Sequence, residues 1–311
     1  MASALEVIGE AFANYWTSSI ALTIVAVCGA SMVTLLYVFL ANARNTKLRV
    51  SLLTAFYGLT IFFWLFVAAS FVLCTAQARM VAYRTDGVRV AATISILVAL
   101  VAAFAVSAFV WRRAPRALLR RFAPRELQEE EAWVQAYADL VADFEGVPRP
   151  KALLVESEGP LAVAIGGRDP KILLSIGLLK TLDREEIETV VAHELMHLKH
   201  HDAQFKVFST VLSRILFFDP FSKFFDPAVH REREYLADEM SGRSTGKPAA
   251  LASALLKIAG NGVAPKAAWG LSILGPGKGV FSRYPPLKER VHRLLLLSDL
   301  LRASGQNWAK G

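Results

Sequence analysis

The chain has 311 residues, 54% of them hydrophobic, with a mean hydropathy of +0.39 and a formal net charge of +8. That apolar excess excludes an ordinary soluble protein, and the length allows two modest domains, one of them membrane-embedded. No Walker or dinucleotide glycine motif is present to suggest a nucleotide site.

Residues 1–15 are mildly acidic and lack the basic n-region of a signal peptide, so no cleavage is expected. Three charge-free runs follow, from Ala11 to Ala43, between Arg49 and Arg79, and between Arg89 and Arg112. At about 1.5 Å of helix rise per residue, each run can cross a hydrocarbon core of about 30 Å. Spans are expected at about 18–41, 51–76 and 90–111. Cys28 and Cys74 lie inside these runs without metal spacing or a disulfide framework, and read as buried packing residues.

Orientation follows from the basic residues. The N-terminus has none before the first span, and Arg112, Arg113, Arg116, Arg120 and Arg121 crowd the end of the third. The positive-inside rule places the N-terminus outside and everything after Arg112 in the cytoplasm. A juxtamembrane anchor explains this cluster at lower cost than nucleic-acid binding, so a lipid bilayer and no nucleic acid is the expected partner. The expected division is a membrane domain at 1–113, a basic linker at 114–124, and a folded domain at 125–311.

Glu126 to Glu145 carries an apolar stripe at Trp133, Tyr137, Leu140 and Val141, a helix ending at Gly146. Strand-like runs follow at Lys151–Glu156, Leu161–Ile165 and Lys171–Ser175, separated by Gly-Pro and Gly-Gly-Arg-Asp-Pro turns. An edge strand in that sheet can hold an extended peptide by main-chain hydrogen bonds, or serve only as a structural hairpin.

Glu185 to Asp202 contains His193-Glu194-Leu195-Met196-His197. Asp183 followed by Glu186 reads as a capping box, and Ile187, Val190, Val191, Leu195 and Leu198 recur at helical spacing. Histidines four apart project from one helix face, where two imidazoles can take two corners of a zinc tetrahedron. Glu194 then stands beside the open metal position, able to accept a proton from water.

A third ligand is needed. A histidine six residues after His197 is excluded, because Ala203 stands there. The segment Arg231-Glu232-Arg233-Glu234-Tyr235-Leu236-Ala237-Asp238 supplies Glu234 as third ligand and Asp238, one turn on, as acceptor from the outer nitrogen of His193. Glu232 is a rival ligand, and Asp226-Pro227 reads as the cap and first residue of this helix. The Phe-rich stretch from Ala203 to Phe225 reads as core or as a helix on the membrane surface. Glycines between Gly260 and Phe281 suggest a loop over the cleft, and Tyr284 to Leu297 reads as a final amphipathic helix.

HELMH followed by EYLAD resembles the gluzincin membrane metallopeptidases of the HtpX and CAAX prenyl protease type. The resemblance takes in Ile172–Leu182, Asp202 and Pro285-Pro-Leu-Lys-Glu-Arg290-Val, and covers about residues 125 to 300. Phe218-Asp-Pro220 ahead of the EREY segment is also similar to the antirepressor-type membrane metallopeptidases, the β-lactam sensor class. The chain has Leu161-Ala-Val-Ala164 where the family often has Asn-Ala-Phe-Ala, and Tyr284 where it often has a histidine before the late proline. From that late motif the resemblance implies Tyr284 or Arg283 as donor to the developing oxyanion.

The expectation is an α+β protein: N-terminal transmembrane helices, then a mainly helical gluzincin domain with a small sheet. A zinc endopeptidase is expected, with one Zn2+ per chain, ligands His193, His197 and Glu234, and Glu194 as general base. Its substrate is a protein or peptide, and the resemblance implies membrane-associated or misfolded ones. The alternatives are a signal-transducing peptidase that cuts one cytosolic regulator, and an inactive zinc scaffold.

Overall fold

In the computed structural model, residues 122–200, 220–260, 282 and 284–308 are described, together with scattered positions between 19 and 120. The chain forms two compact units, Met1–Phe109 and Val110–Gly311. In the first, the described stretches at 25–31 and 62–69 are helical, and Phe63 and Val67 are buried. Cys28 is a free thiol and half-buried, not buried as expected, while Cys74 lies outside the described residues. Among the described residues no helix is long and apolar enough to cross a membrane; most of the three charge-free runs lies outside them.

The second unit is α+β, mainly helical with one small sheet. Its chain order is β1 (Arg125–Glu126), a 3-10 turn (Glu129–Glu131), α1 (Ala132–Glu145), then β2 (Lys151–Val155), β3 (Ala162–Ile165) and β4 (Lys171–Ser175). Helices α2 (Ile176–Thr181), α3 (Arg184–Lys199), α4 (Pro220–Thr245), α5 (Pro248–Gly260) and α6 (Leu287–Trp308) complete it.

The sheet has the order β1-β2-β4-β3. β2 runs parallel to β4, with Lys151 opposite Lys171, and β3 returns antiparallel, with Ala162 opposite Leu174. That places β3 on an edge. Side chains alternate across the pleat: Ala152, Leu154, Ala162, Ala164, Ile172 and Leu174 join the core shared with the helices. Leu153, Val155, Leu161, Val163, Ile165 and Leu173 gather around Phe122 on the opposite face. Both faces are buried, which is why these strands read as continuous apolar runs.

Ser175 closes β4 and opens α2. Its buried hydroxyl accepts from the Leu178 and Leu161 N–H groups at 3.1 and 2.8 Å and donates to the Gly159 carbonyl at 2.8 Å. Two residues on, a Cβ at Gly177 would stand 1.9 Å from the Glu158 carbonyl oxygen, so only glycine lets these backbones meet.

Helix α3 is the centre of the unit, buried on nearly every side from Glu186 to Leu198. The expected capping box is present: Asp183 accepts from the Glu186 N–H and Glu186 accepts from the Asp183 N–H, both at 3.0 Å. Glu186 also accepts from Ser253 and Lys257 of α5 at 2.6 and 2.7 Å, so this cap doubles as a tie between helices. Alongside α1, the Arg184 guanidinium covers the Trp133 ring at 4.9 Å and Lys199 pairs with Glu145 at 2.6 Å. Between these ends Ile187, Val190, Val191 and Leu195 pack with Val134, Ala138, Leu251 and Leu255, each large aliphatic contributing about 1.5–3 kcal/mol on burial.

Several boundaries differ from those read in the sequence, β2 and β3 by one residue each and the helices by more. Glu126 is in β1, not a helix, because it pairs with Leu153 of β2. Helix α1 begins only at Ala132, but ends at Gly146 as expected, with φ +64°. Pro227 lies inside α4, which starts seven residues earlier at the other Asp-Pro pair; an interior proline forfeits one helical hydrogen bond but does not stop the chain. Helix α6 starts at Leu287 and runs to Trp308, because Pro285 and Pro286 bias the residues before them away from helical backbone. Helices α2 and α5 have no counterpart in that reading. The segments 201–219 and 261–281, which include the Phe-rich stretch and most of the expected loop, lie outside the described residues, as does Arg283.

Candidate metal centre

Helix α3 presents His193 and His197 from one face, their rings perpendicular and centroids 4.8 Å apart. The two Nε2 atoms are 3.2 Å apart. Helix α4 brings Glu234 between them, with Oε2 at 3.5 Å from His193 Nε2 and Oε1 at 3.5 Å from His197 Nε2. All three are buried, and they are the one such donor group among the described residues. Glu232, half-buried on the same helix, is not in it.

A tetrahedral ion about 2.0–2.1 Å from each donor requires donors about 3.3–3.4 Å apart. The two imidazole nitrogens, 3.2 Å apart, match one such edge, and the Glu234 carboxylate spans them with a different oxygen 3.5 Å from each. Two imidazoles and one carboxylate are also a donor set that zinc accepts.

Asp238, one turn beyond Glu234, has Oδ1 3.1 Å from His193 Nδ1. Arg290 of α6 donates to this carboxylate twice, from Nε to Oδ2 at 2.7 Å and from Nη2 to Oδ1 at 2.6 Å. Burial alone raises the Asp238 carboxyl, but Arg290 and His193 outweigh it and hold it below the usual range. Burial lowers the His193 imidazole, yet Asp238 and Glu234 together push it up to about 9. The pocket therefore stabilises positive charge between His193 and its two carboxylates, and a cation among the donors meets the same demand.

Glu194, the residue after His193 on α3, is buried and faces the sheet. Its Oε2 accepts from the Ala164 N–H of β3 at 2.7 Å. In an antiparallel pair successive N–H groups point alternately to the partner strand and away from it, and Ala164, opposite Ile172, turns its N–H away from β4 to Glu194. Tyr284 is buried in the turn before α6, where its N–H donates to Ser282 Oγ at 3.2 Å. Arg231 of α4 pins this turn by donating to the Ser282 carbonyl at 2.7 Å.

The structure thus gathers His193, His197, Glu234, Asp238 and Glu194, and sets Tyr284 on the segment leading to Arg290. Arg290 had no assigned role from sequence. The available signal was its spacing: it falls between Leu287 and Leu294 on the core-facing side of α6, where an arginine must find a buried partner.

The chain is similar to known metallopeptidases. The BlaR1 peptidase M56 family model matches residues 67–274. A Protease HtpX homolog of Dictyoglomus thermophilum is 29% identical over 250 residues, covering 66% of this chain and 82% of that protein. Another from Pyrococcus abyssi is 32% identical over 221 residues, covering 55% and 75%. A third, from Thermococcus sibiricus, is 30% identical over 253 residues, covering 63% and 85%. Among solved structures, S. mikatae Ste24p aligns with a TM-score of 0.44 at 19% identity, over 80% of this chain and 65% of that one. A family match over more than half of the chain, with protease relatives of which it spans three quarters or more, makes this chain a member of the BlaR1 M56 and HtpX-like metallopeptidases.

Proposed function

We propose that the chain is a membrane-anchored zinc endopeptidase in which His193, His197 and Glu234 hold the metal and Glu194 is the general base. The observation that carries this is the buried group of two imidazole nitrogens 3.2 Å apart with the Glu234 carboxylate 3.5 Å from each, a donor set that zinc accepts. When bound, zinc supplies Lewis acidity, lowering the pKa of water to about 7 and polarising the scissile carbonyl. Glu194 takes the proton from the attacking water and returns it to the leaving amine. Its hydrogen bond from Ala164 keeps one carboxylate oxygen turned to the sheet and so orients the other. β3, as an edge strand beside this base, is suited to hold an extended peptide by its main chain. Tyr284 is the candidate oxyanion donor, on the strength of the late motif. The substrate class is membrane-associated or misfolded protein; the BlaR1-type match favours, as a second reading, one dedicated cytosolic regulator.

Zinc content and casein cleavage of the detergent-purified protein test this directly. One zinc per chain is expected, with cleavage abolished by a chelator and restored by zinc. A chain that binds no metal overturns the reading; zinc without casein cleavage turns it toward the dedicated substrate.

The three charge-free runs support anchoring, with the N-terminus outside and the peptidase unit in the cytoplasm. Protease protection of terminal tags in intact cells checks it. The N-terminal tag is expected to be digested and the C-terminal tag spared until lysis. The reverse pattern rejects the orientation, and release by alkaline carbonate rejects the anchor.

A further inference from the structure

We infer that Arg290 is a positioning residue for the metal centre, through which the last helix sets the orientation of His193 and balances the charge of the site. The inference rests on the metal reading proposed above. Arg290 is wholly buried, and its two bonds to Asp238, at 2.7 and 2.6 Å, form the parallel fork that a guanidinium makes and an ammonium cannot. Asp238 Oδ1, which receives Nη2, is the same oxygen that faces His193 Nδ1 at 3.1 Å. The fork fixes the carboxylate plane, and the carboxylate, facing the imidazole at Nδ1, leaves Nε2 for the other donors. The remaining nitrogen, Nη1, lies 3.5 Å from Glu234 Oε2, the oxygen that faces His193 Nε2. One cation thus reaches both the ligating carboxylate and the one that supports a ligand.

Charge points the same way. Glu194, Glu234 and Asp238 are all buried, and together they exceed a divalent ion by one negative charge. Arg290 supplies the missing positive charge, and an excess charge left in such a site is costly. Arginine and aspartate are 52 positions apart, so the completed C-terminal helix is part of the centre and not merely packed on it.

The test uses the full detergent-purified chain with Arg290→Gln and Arg290→Lys. Zinc affinity is read by competition with a chromogenic chelator, and ligand geometry by visible absorption of the cobalt(II)-loaded protein. Arg290→Gln is expected to weaken zinc binding about 10–100-fold and to shift the cobalt bands. Arg290→Lys keeps the charge and loses the fork; it is expected to recover part of the affinity but not the native bands. Asp238→Asn should weaken binding similarly and add less than its own full effect in the double variant, since both act mainly through the Arg290–Asp238 contact. A folded Arg290→Gln with native zinc affinity and native cobalt bands overturns the inference. If that variant fails to fold, Arg290→Lys decides: altered bands with weaker zinc binding support the inference, and native behaviour in both overturns it. A wild-type chain without metal would instead reject the underlying metal reading, and this inference with it.

Discussion

Glu194→Gln is expected to lower kcat about 10²–10⁴-fold, the usual contribution of a general base, while leaving zinc content unchanged. The amide is nearly the same shape as the carboxylate, and its oxygen can still accept from the Ala164 N–H now 2.7 Å from Glu194 Oε2. The fold and the three donors therefore stay in place, and only the ability to take a proton is lost. Turnover measured on a quenched peptide or casein, beside metal analysis of the same sample, checks both halves. A variant that cleaves at the native rate would remove Glu194 from the chemistry. One that has lost its zinc would show that the carboxylate also serves the metal.

Glu234→Ala is expected to weaken zinc binding more than the roughly 10–100-fold typical of a supporting residue, and to abolish cleavage at ordinary zinc concentrations. This removes one of three donors and leaves Arg290 facing a gap where a carboxylate oxygen stood 3.5 Å away. Glu232→Ala is the matched control. Glu232 is half-buried and outside the donor group, so its loss is expected to leave zinc binding within about twofold of wild type, a surface-scale effect. Isothermal titration of zinc into the stripped proteins compares the two. If Glu232→Ala loses the metal and Glu234→Ala retains it, the third ligand is misassigned.

These expectations differ in how early they become visible. The pairing of His193 with His197 follows from helical pitch alone: positions four apart share a face wherever a helix forms. Asp183 and Glu186 announce the start of that helix, because both halves of a capping box lie within four residues. Glu234 and Asp238 share a face by the same rule, whereas Glu232, two positions from Glu234, does not share it. Strands β2 and β4 are similarly legible from the apolar runs at Lys151–Glu156 and Lys171–Ser175 between turn residues, the first one residue longer than the strand.

Other features depend on packing between distant segments, which no local pattern encodes. The order β1-β2-β4-β3, and with it the edge position of β3, depends on β2 pairing in parallel with β4 across the intervening hairpin. Ala164 meets Glu194 across 30 positions and Arg290 meets Asp238 across 52, each needing two elements docked at one angle and register. Two Asp-Pro pairs offer the same start signal for α4, and the cost of an interior proline, about 3 kcal/mol, is small enough for tertiary contacts to decide between them. Spacing within one helix is set by backbone geometry and so can be read from the chain itself. The charge balance and aim of the site are set by which surfaces come together, and only the folded structure contains that.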